Sequence, residues 1–157
     1  MKPRVNAKLQ FNLFKMDDKR RLEGIKNVLL EMKEYANDGA VVVVEGEKDR
    51  RSLSSLGIRN CIKFPIKESL LNFSESLARE DRGIILLTDW DSKGEELSKI
   101  IEANLRNMGL SPDIRIRNRL KSLVFRDIKD VESLSRYLDR MIYDAFEIPT
   151  EQFLSKT

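Results

Sequence analysis

Apolar residues along this chain recur with two different periods, and the alternation between the two predicts the order of its elements. Leu22, Ile25, Val28, Leu29 and Met32 fall three and four positions apart, the spacing of one buried helical face. Asp17 or Asp18 can cap the start of that helix, and Asn37, Asp38 and Gly39 end it. Ala40–Val44 is then apolar throughout and β-branched, as in a strand covered on both faces of a parallel sheet. Glu45 and Gly46 interrupt the run, and Leu53 and Leu56 resume helical spacing before Gly57.

The unit then repeats. Cys61–Phe64 predicts a second short strand closed by Pro65, and Leu70, Leu71, Phe73 and Leu77 predict a helix that stops near Gly83. Ile84–Thr88 predicts a third buried strand, broken by Asp89, Trp90 and Asp91. From Gly94, a helix carries Leu97, Ile100, Ile101 and Leu105 as far as Gly109. Ile114 and Ile116 alternate with Arg115 and Arg117, the period-two pattern of a fourth strand with one solvated face. Val131, Leu134, Leu138, Met141 and Ile142 predict a last amphipathic helix, and the tail after Pro149 is unassigned. Strands alternating with helices imply an α/β fold, with a mostly parallel sheet of about four strands flanked by helices. At 157 residues the chain reads as one domain, without internal repeat or low-complexity tract.

Composition narrows the chemistry more than the class. There is no histidine and one cysteine, Cys61, which reads as a small core residue, so histidine triads, histidine metal sites, internal disulfides and structural zinc clusters are all excluded. Carboxylates, lysines, arginines, hydroxyls and backbone groups remain, and with them a hard cation, Mg²⁺ or Mn²⁺, as the expected cofactor. No run of about 18 or more apolar residues and no signal-type stretch is present, so the expected location is the cytoplasm, away from membrane.

The 29 Lys and Arg nearly balance the 26 Asp and Glu, but they are unevenly placed. Lys2, Arg4, Lys8 and Lys15 open the chain without an acid among the first 16 residues. A second basic segment holds Arg115, Arg117, Arg119, Lys121, Arg126 and Lys129. Two such segments on an otherwise acidic body suggest a polyanionic partner; solvated faces carry the same pattern.

In open α/β sheets, ligand sites lie beyond the carboxyl ends of the strands, near a switch in strand order. Glu45 follows the first predicted strand, and Asp89 and Asp91 follow the third. If those strands are neighbours, three carboxylates converge in one crevice and favour a divalent cation, because close carboxylates otherwise repel. Gly46 and Gly94 would let backbone approach a ligand closely.

Together, VVVVEGEKDRRSL and IILLTDWDSKGEEL resemble the two motifs of the Toprim domain. That domain is shared by bacterial-type primases, type IA and type II topoisomerases, overcoming-lysogenization-defect nucleases and the ribonucleases that mature 5S ribosomal RNA. The likeness is closest to small stand-alone archaeal Toprim proteins and implies a three-layer, Rossmann-like fold. By residue, it implies Glu45, Asp89 and Asp91 as catalytic metal ligands, with Gly46 and Gly94 beside them. Asp49 matches a further acidic position of the primase-like branch; its other reading is a carboxylate favoured by the positive end of its helix. Lys129 and Asp130, in FRDIKDVESL, resemble a later primase-like segment. The implied layout is a basic leader at 1–16, a helix over 17–39, a Toprim core at 40–131, and a C-terminal helix and tail at 132–157.

The implied activity is a Mg²⁺- or Mn²⁺-dependent nuclease or phosphotransfer module, a hydrolase of nucleic-acid phosphodiesters with RNA processing among its roles. The alternative is a non-catalytic nucleic-acid-binding or adaptor subunit with protein partners in a larger assembly. Topoisomerase chemistry is not expected, since Tyr35, Tyr137 and Tyr143 all fall in predicted helices, and a complete primase would need further domains. Lys48 and Lys93 are candidate phosphate contacts, or solvated first-turn lysines. Arg115, Arg117, Arg119 and Lys121 read either as a phosphate-binding stripe or as charges protecting an edge strand. Phe11 and Phe14 can stack bases or dock the leader onto the body, and Trp90 can stack on a base or cover the crevice.

Overall fold

The computed structural model describes residues 7–155, without the side chains of residues 11–15. Lys2, Arg4 and the side chains of Phe11, Phe14 and Lys15 therefore lie outside the described residues, and with them the two readings of the leader aromatics. The elements run α1 (Ala7–Asn37), β1 (Val41–Val44), α2 (Glu47–Ser55), β2 (Cys61–Lys63), α3 (Leu70–Arg79), β3 (Ile84–Leu86), α4 (Ser92–Asn107), α5 (Arg115–Val124), α6 (Leu134–Phe146) and α7 (Thr150–Ser155).

Three strands pair in parallel in the order β2-β1-β3. Their side chains alternate between two cores, as the pleat requires. Val42, Val44, Ile85 and Leu87 face a core built with α1, α2, α5 and α6. Val41, Val43, Ile84 and Leu86 face a second core with Phe73 and Leu77 of α3 and Ile101 and Leu105 of α4. The sheet is thus covered on both faces, which explains its unbroken apolar runs. Because β2 lies on one side of β1 and β3 on the other, the strand order reverses between β1 and β3. That reversal is where a ligand crevice opens in such sheets.

Three expectations are corrected. Asp17 and Asp18 do not begin a helix: α1 runs without a break from Ala7 to Asn37, so leader and first helix are one element over the described residues. The unassigned tail contains α7, whose Phe153 is buried and stacks on Phe146 with ring centroids 5.2 Å apart. The fourth strand is absent, and the sheet has three strands. Among the described residues only Asp113 pairs with β3, in a single bridge to Ile85, and the chain then turns into α5.

The reason lies in Asp113 and in the longer apolar spacing. Its carboxylate accepts from the amides of Arg115 (2.9 Å) and Ile116 (3.1 Å), which caps the first turn of a helix. Ile116, Leu120 and Val124 then recur every fourth residue and are buried in the core shared with α1. Four residues of alternation favour a strand; nine residues of helical period outweigh them. Among the described residues no helix is long and apolar enough to cross a membrane.

A buried helical face makes a specific expectation for this segment. Ile116→Ala should destabilise the protein by about 2–5 kcal/mol, whereas Arg115→Ala, at a side chain 71% exposed, should stay within about 0.5 kcal/mol in urea unfolding. Equal effects at the two positions would be those of a strand edge and would refute the helical assignment.

Candidate functional site

The crevice at the carboxyl ends of β1 and β3 is built from two tight loops. Glu45 leaves β1 and turns its Oε2 onto the backbone amide of Asp89 at 2.7 Å, so one carboxylate ties the two strand ends together. Asp49, three residues on from Gly46, accepts from the Gly46 amide at 3.0 Å at the start of α2, the half of a capping box that a glycine N-cap, with no side chain, can form. The helix-end reading of Asp49 is thereby met, and the residue is buried as well.

The β3 loop is held more firmly still. Thr88 donates its hydroxyl to the Gly94 carbonyl at 2.8 Å, and Asp91 accepts from the Gly94 amide at 2.7 Å as the N-cap of α4. The helix thus starts two residues earlier than its glycine suggests. Gly94 is required by space: a Cβ there would stand 1.7 Å from the Asp89 carbonyl oxygen, inside the backbone. On the far side, Asp89 Oδ1 accepts from the Val131 amide at 2.9 Å. Trp90 donates its backbone amide to Lys129 O (3.2 Å) and its indole N–H to Ile128 O (2.5 Å).

Arg117 completes the clamp. Only 2% exposed, its guanidinium donates Nε to Thr88 O at 2.9 Å and Nη2 to Asp89 O at 2.6 Å, and Nη1 lies 3.2 Å from Glu95. The sequence pattern assigns Arg117 to an outward phosphate-binding stripe, and the structure corrects that. The helical period that buries Ile116 and Leu120 also buries Arg117 beneath the loop. Its neighbours are tied too: Arg119 pairs with Glu31, Lys121 lies 2.5 Å from Glu95, and Arg115 lies 3.8 Å from Asp113. The charged edge strand is not realised, and of the stripe Arg115 and Arg119 stay exposed on α5 while Arg117 is withdrawn.

These contacts decide which acids meet. Burial is the chief cause pushing the Asp89 carboxyl up to about 8, opposed by the Val131 amide and reinforced by the charges of Asp49 and Glu45 and a hydrogen bond with the Glu45 carboxyl. Burial likewise pushes Asp49 up to about 6, against the Gly46 amide and with Glu45 and Asp130 adding repulsion. The crevice therefore gathers Glu45, Asp89 and Asp49, with Asp130 at its margin. The expected third partner, Asp91, is exposed and turned to its own helix, because capping α4 takes up its near oxygen. Among the described residues, no three Asp, Glu or Cys side chains are gathered closely enough to cage an ion on their own. Trp90 is buried in the core, 6% exposed. Lys93 is exposed in the first turn of α4, Lys129 is exposed, and Lys48 is exposed 3.8 Å from Glu132. Sequence reasoning missed the structural parts of Arg117, Thr88 and Glu95; Arg117 stood out in the sequence only as one cation among several.

Two outcomes follow for the metal-free protein. Gly94→Ala should lower the unfolding midpoint sharply, since backbone rather than a flexible side chain occupies the space; a melting temperature like that of the wild type would refute the close approach. The raised carboxyls bind protons more tightly folded than unfolded, so in chelator their contribution to stability is full at acidic pH and is lost as pH rises through about 6 for Asp49 and about 8 for Asp89. Asp89→Asn should flatten the upper part of that decline in urea unfolding followed from pH 5 to 9, and an unchanged slope would show that Asp89 ionises normally.

No family model matches the chain. Among curated proteins, it is 41% identical over 123 residues to a UPF0292 protein of Methanosarcina acetivorans, covering 78% of this chain and 85% of that one. A UPF0292 protein of Archaeoglobus fulgidus is 35% identical over 111 residues, covering 71% and 86%. Among solved structures, a putative protein from Aquifex aeolicus superposes with a TM-score of 0.58 at 29% identity, over 68% of this chain and 94% of that one. These likenesses carry no activity with them, but their identity and coverage place the chain in the UPF0292 family.

Proposed function

We propose that this chain is a Toprim-type, divalent-metal-dependent module for cleaving or transferring phosphodiesters of nucleic acid. One observation carries the reading. Glu45 and Asp89 stand at the ends of adjacent parallel strands, with the Glu45 carboxylate bonded to the Asp89 backbone amide at 2.7 Å, at the point where strand order reverses. The helices on both faces of the sheet and the tight glycine turn at the second motif fit the three-layer fold that the sequence resemblance implies.

The donor chemistry fits a hard cation. Every side chain in the crevice offers oxygen alone, and Glu45 and Asp89 each commit one oxygen to a backbone amide and keep the other. These two residues would hold Mg²⁺ or Mn²⁺, with Asp49 beside them. A cation there supplies Lewis acidity towards a phosphoryl oxygen and acidifies bound water. The chain's own part is to keep the carboxylates fixed. Arg117 and the Val131 amide hold the Asp89 backbone and side chain from opposite sides, while Asp91 and Thr88 lock the helix that follows. Such positioning avoids reorganisation during reaction.

Cleavage of labelled single- and double-stranded RNA and DNA with Mg²⁺ or Mn²⁺ tests the proposal. Turnover is expected on at least one substrate, falling by about 100-fold or more in Glu45→Gln and in Asp89→Asn, as when a preorganised electrostatic group is lost. Paramagnetic Mn²⁺ titration should show binding that both variants lose. Nucleic-acid binding without turnover under any metal would instead assign the chain to an adaptor role.

A further inference from the structure

A cavity of about 600 Å³ lies between α2 and α6, on the flank of the acidic crevice. Its walls carry Lys48 and Arg51 from α2 and Arg136 and Arg140 from α6, against the single carboxylate of Glu132. Hydroxyls of Ser52, Ser55 and Ser133 line it as well. Nothing in the fold requires this excess of positive charge. Arg136 and Arg140 pair with no carboxylate among the described residues and make no hydrogen bond there, Lys48 meets only Glu132 at 3.8 Å, and Arg51 meets only Glu47 at 3.6 Å. Of the basic residues of α5, by contrast, Arg117 is buried against Glu95, Lys121 lies 2.5 Å from Glu95 and Arg119 pairs with Glu31.

The cavity adjoins the crevice directly. Lys48 and Asp49 are consecutive, and Glu132 directly follows Val131, whose amide holds the Asp89 carboxylate. Arg136 and Arg140 stand four residues apart on one helix, so the two cations lie about 6 Å apart along its axis and present a row rather than a point. The volume is that of a site for a ligand of nucleotide size and is too small to admit a duplex.

We infer that the α2–α6 groove binds the phosphate backbone of a single nucleic-acid strand, with Arg136 and Arg140 contacting successive phosphates and Lys48 and Arg51 closing from the opposite wall. This rests on the proposed phosphodiester chemistry only for the direction in which the strand leads, towards Glu45 and Asp89. The contacts themselves are electrostatic and independent of sequence.

Fluorescence anisotropy with a labelled 12-nucleotide single strand, in chelator and over a range of salt, tests the groove apart from catalysis. Arg136→Ala with Arg140→Ala, folded by circular dichroism, should weaken binding at least tenfold and flatten the plot of log affinity against log salt by about 1.4, roughly 0.7 for each single-strand phosphate that the protein no longer neutralises. Lys48→Ala with Arg51→Ala should act in the same direction. Arg79→Ala with Lys99→Ala, which removes the same charge from α3 and α4, should leave the slope unchanged, and Asp89→Asn should bind the strand at least as well as wild type. An unchanged slope in the Arg136/Arg140 double variant overturns the inference, and so does inorganic pyrophosphate displacing the strand at the strand's own concentration, which would make the groove a small-anion site. Strand binding through the groove with no cleavage of any substrate sustains this inference and refutes the proposed activity.

Discussion

A guanidinium enclosed beneath a loop holds the candidate site in shape. Arg117 satisfies two carbonyl oxygens, those of Thr88 and Asp89, that the turn after β3 leaves without strand partners, and Glu95 balances its charge. A buried cation is tolerable only when its donors and its charge are both met, and breaking such a set by removing one member costs about 3–5 kcal/mol. The geometry at Asp89 therefore depends on α5, and through α5 on α1. Those helices are packed so closely that a Cβ at Gly24 would come within 3.2 Å of Leu123. The first helix of the chain thus supports the site without contributing a group to it.

The sequence makes the scaffold legible where one physical rule acts alone. Val41–Val44 and Ile84–Leu86 are strands because they are covered on both faces, and an apolar β-branched run records that directly. The segment from Asp113 obeys two rules at once. Its arginines fit an edge strand locally, while Asp113 as a cap and Ile116, Leu120 and Val124 at four-residue spacing favour a helix, and the longer period prevails. The acidic site was legible as to Glu45 and Asp89, since both end buried strands. For Asp91 the sequence leaves ligation and helix capping equally open, and only the position of the Gly94 amide shows that one of its oxygens caps α4. Asp49 entered the crevice through a backbone hydrogen bond, which no spacing reveals.

Counter-charges also redraw the electrostatic surface that composition suggests. Summed along the chain, the segment from Arg115 to Lys121 is a prominent basic run. In space Arg117, Arg119 and Lys121 meet Glu31 or Glu95, whose positions in sequence give no hint of the pairing. Arg136 and Arg140, set among acids in the sequence, emerge unneutralised because Asp139 accepts a hydrogen bond from Thr150 and Glu132 turns to Lys48. Net charge along the chain and net charge on a face are separate quantities here.

Trp90 is the chain's one tryptophan, and its indole N–H is fixed to Ile128 O while its neighbour Asp89 lies in the acidic crevice. The fold has thereby placed its sole strong near-ultraviolet chromophore one peptide bond from the carboxylate at the heart of the site. Tryptophan emission from this protein reports a single environment, the residue next to Asp89. The protein carries an optical gauge of its own crevice without the addition of a label.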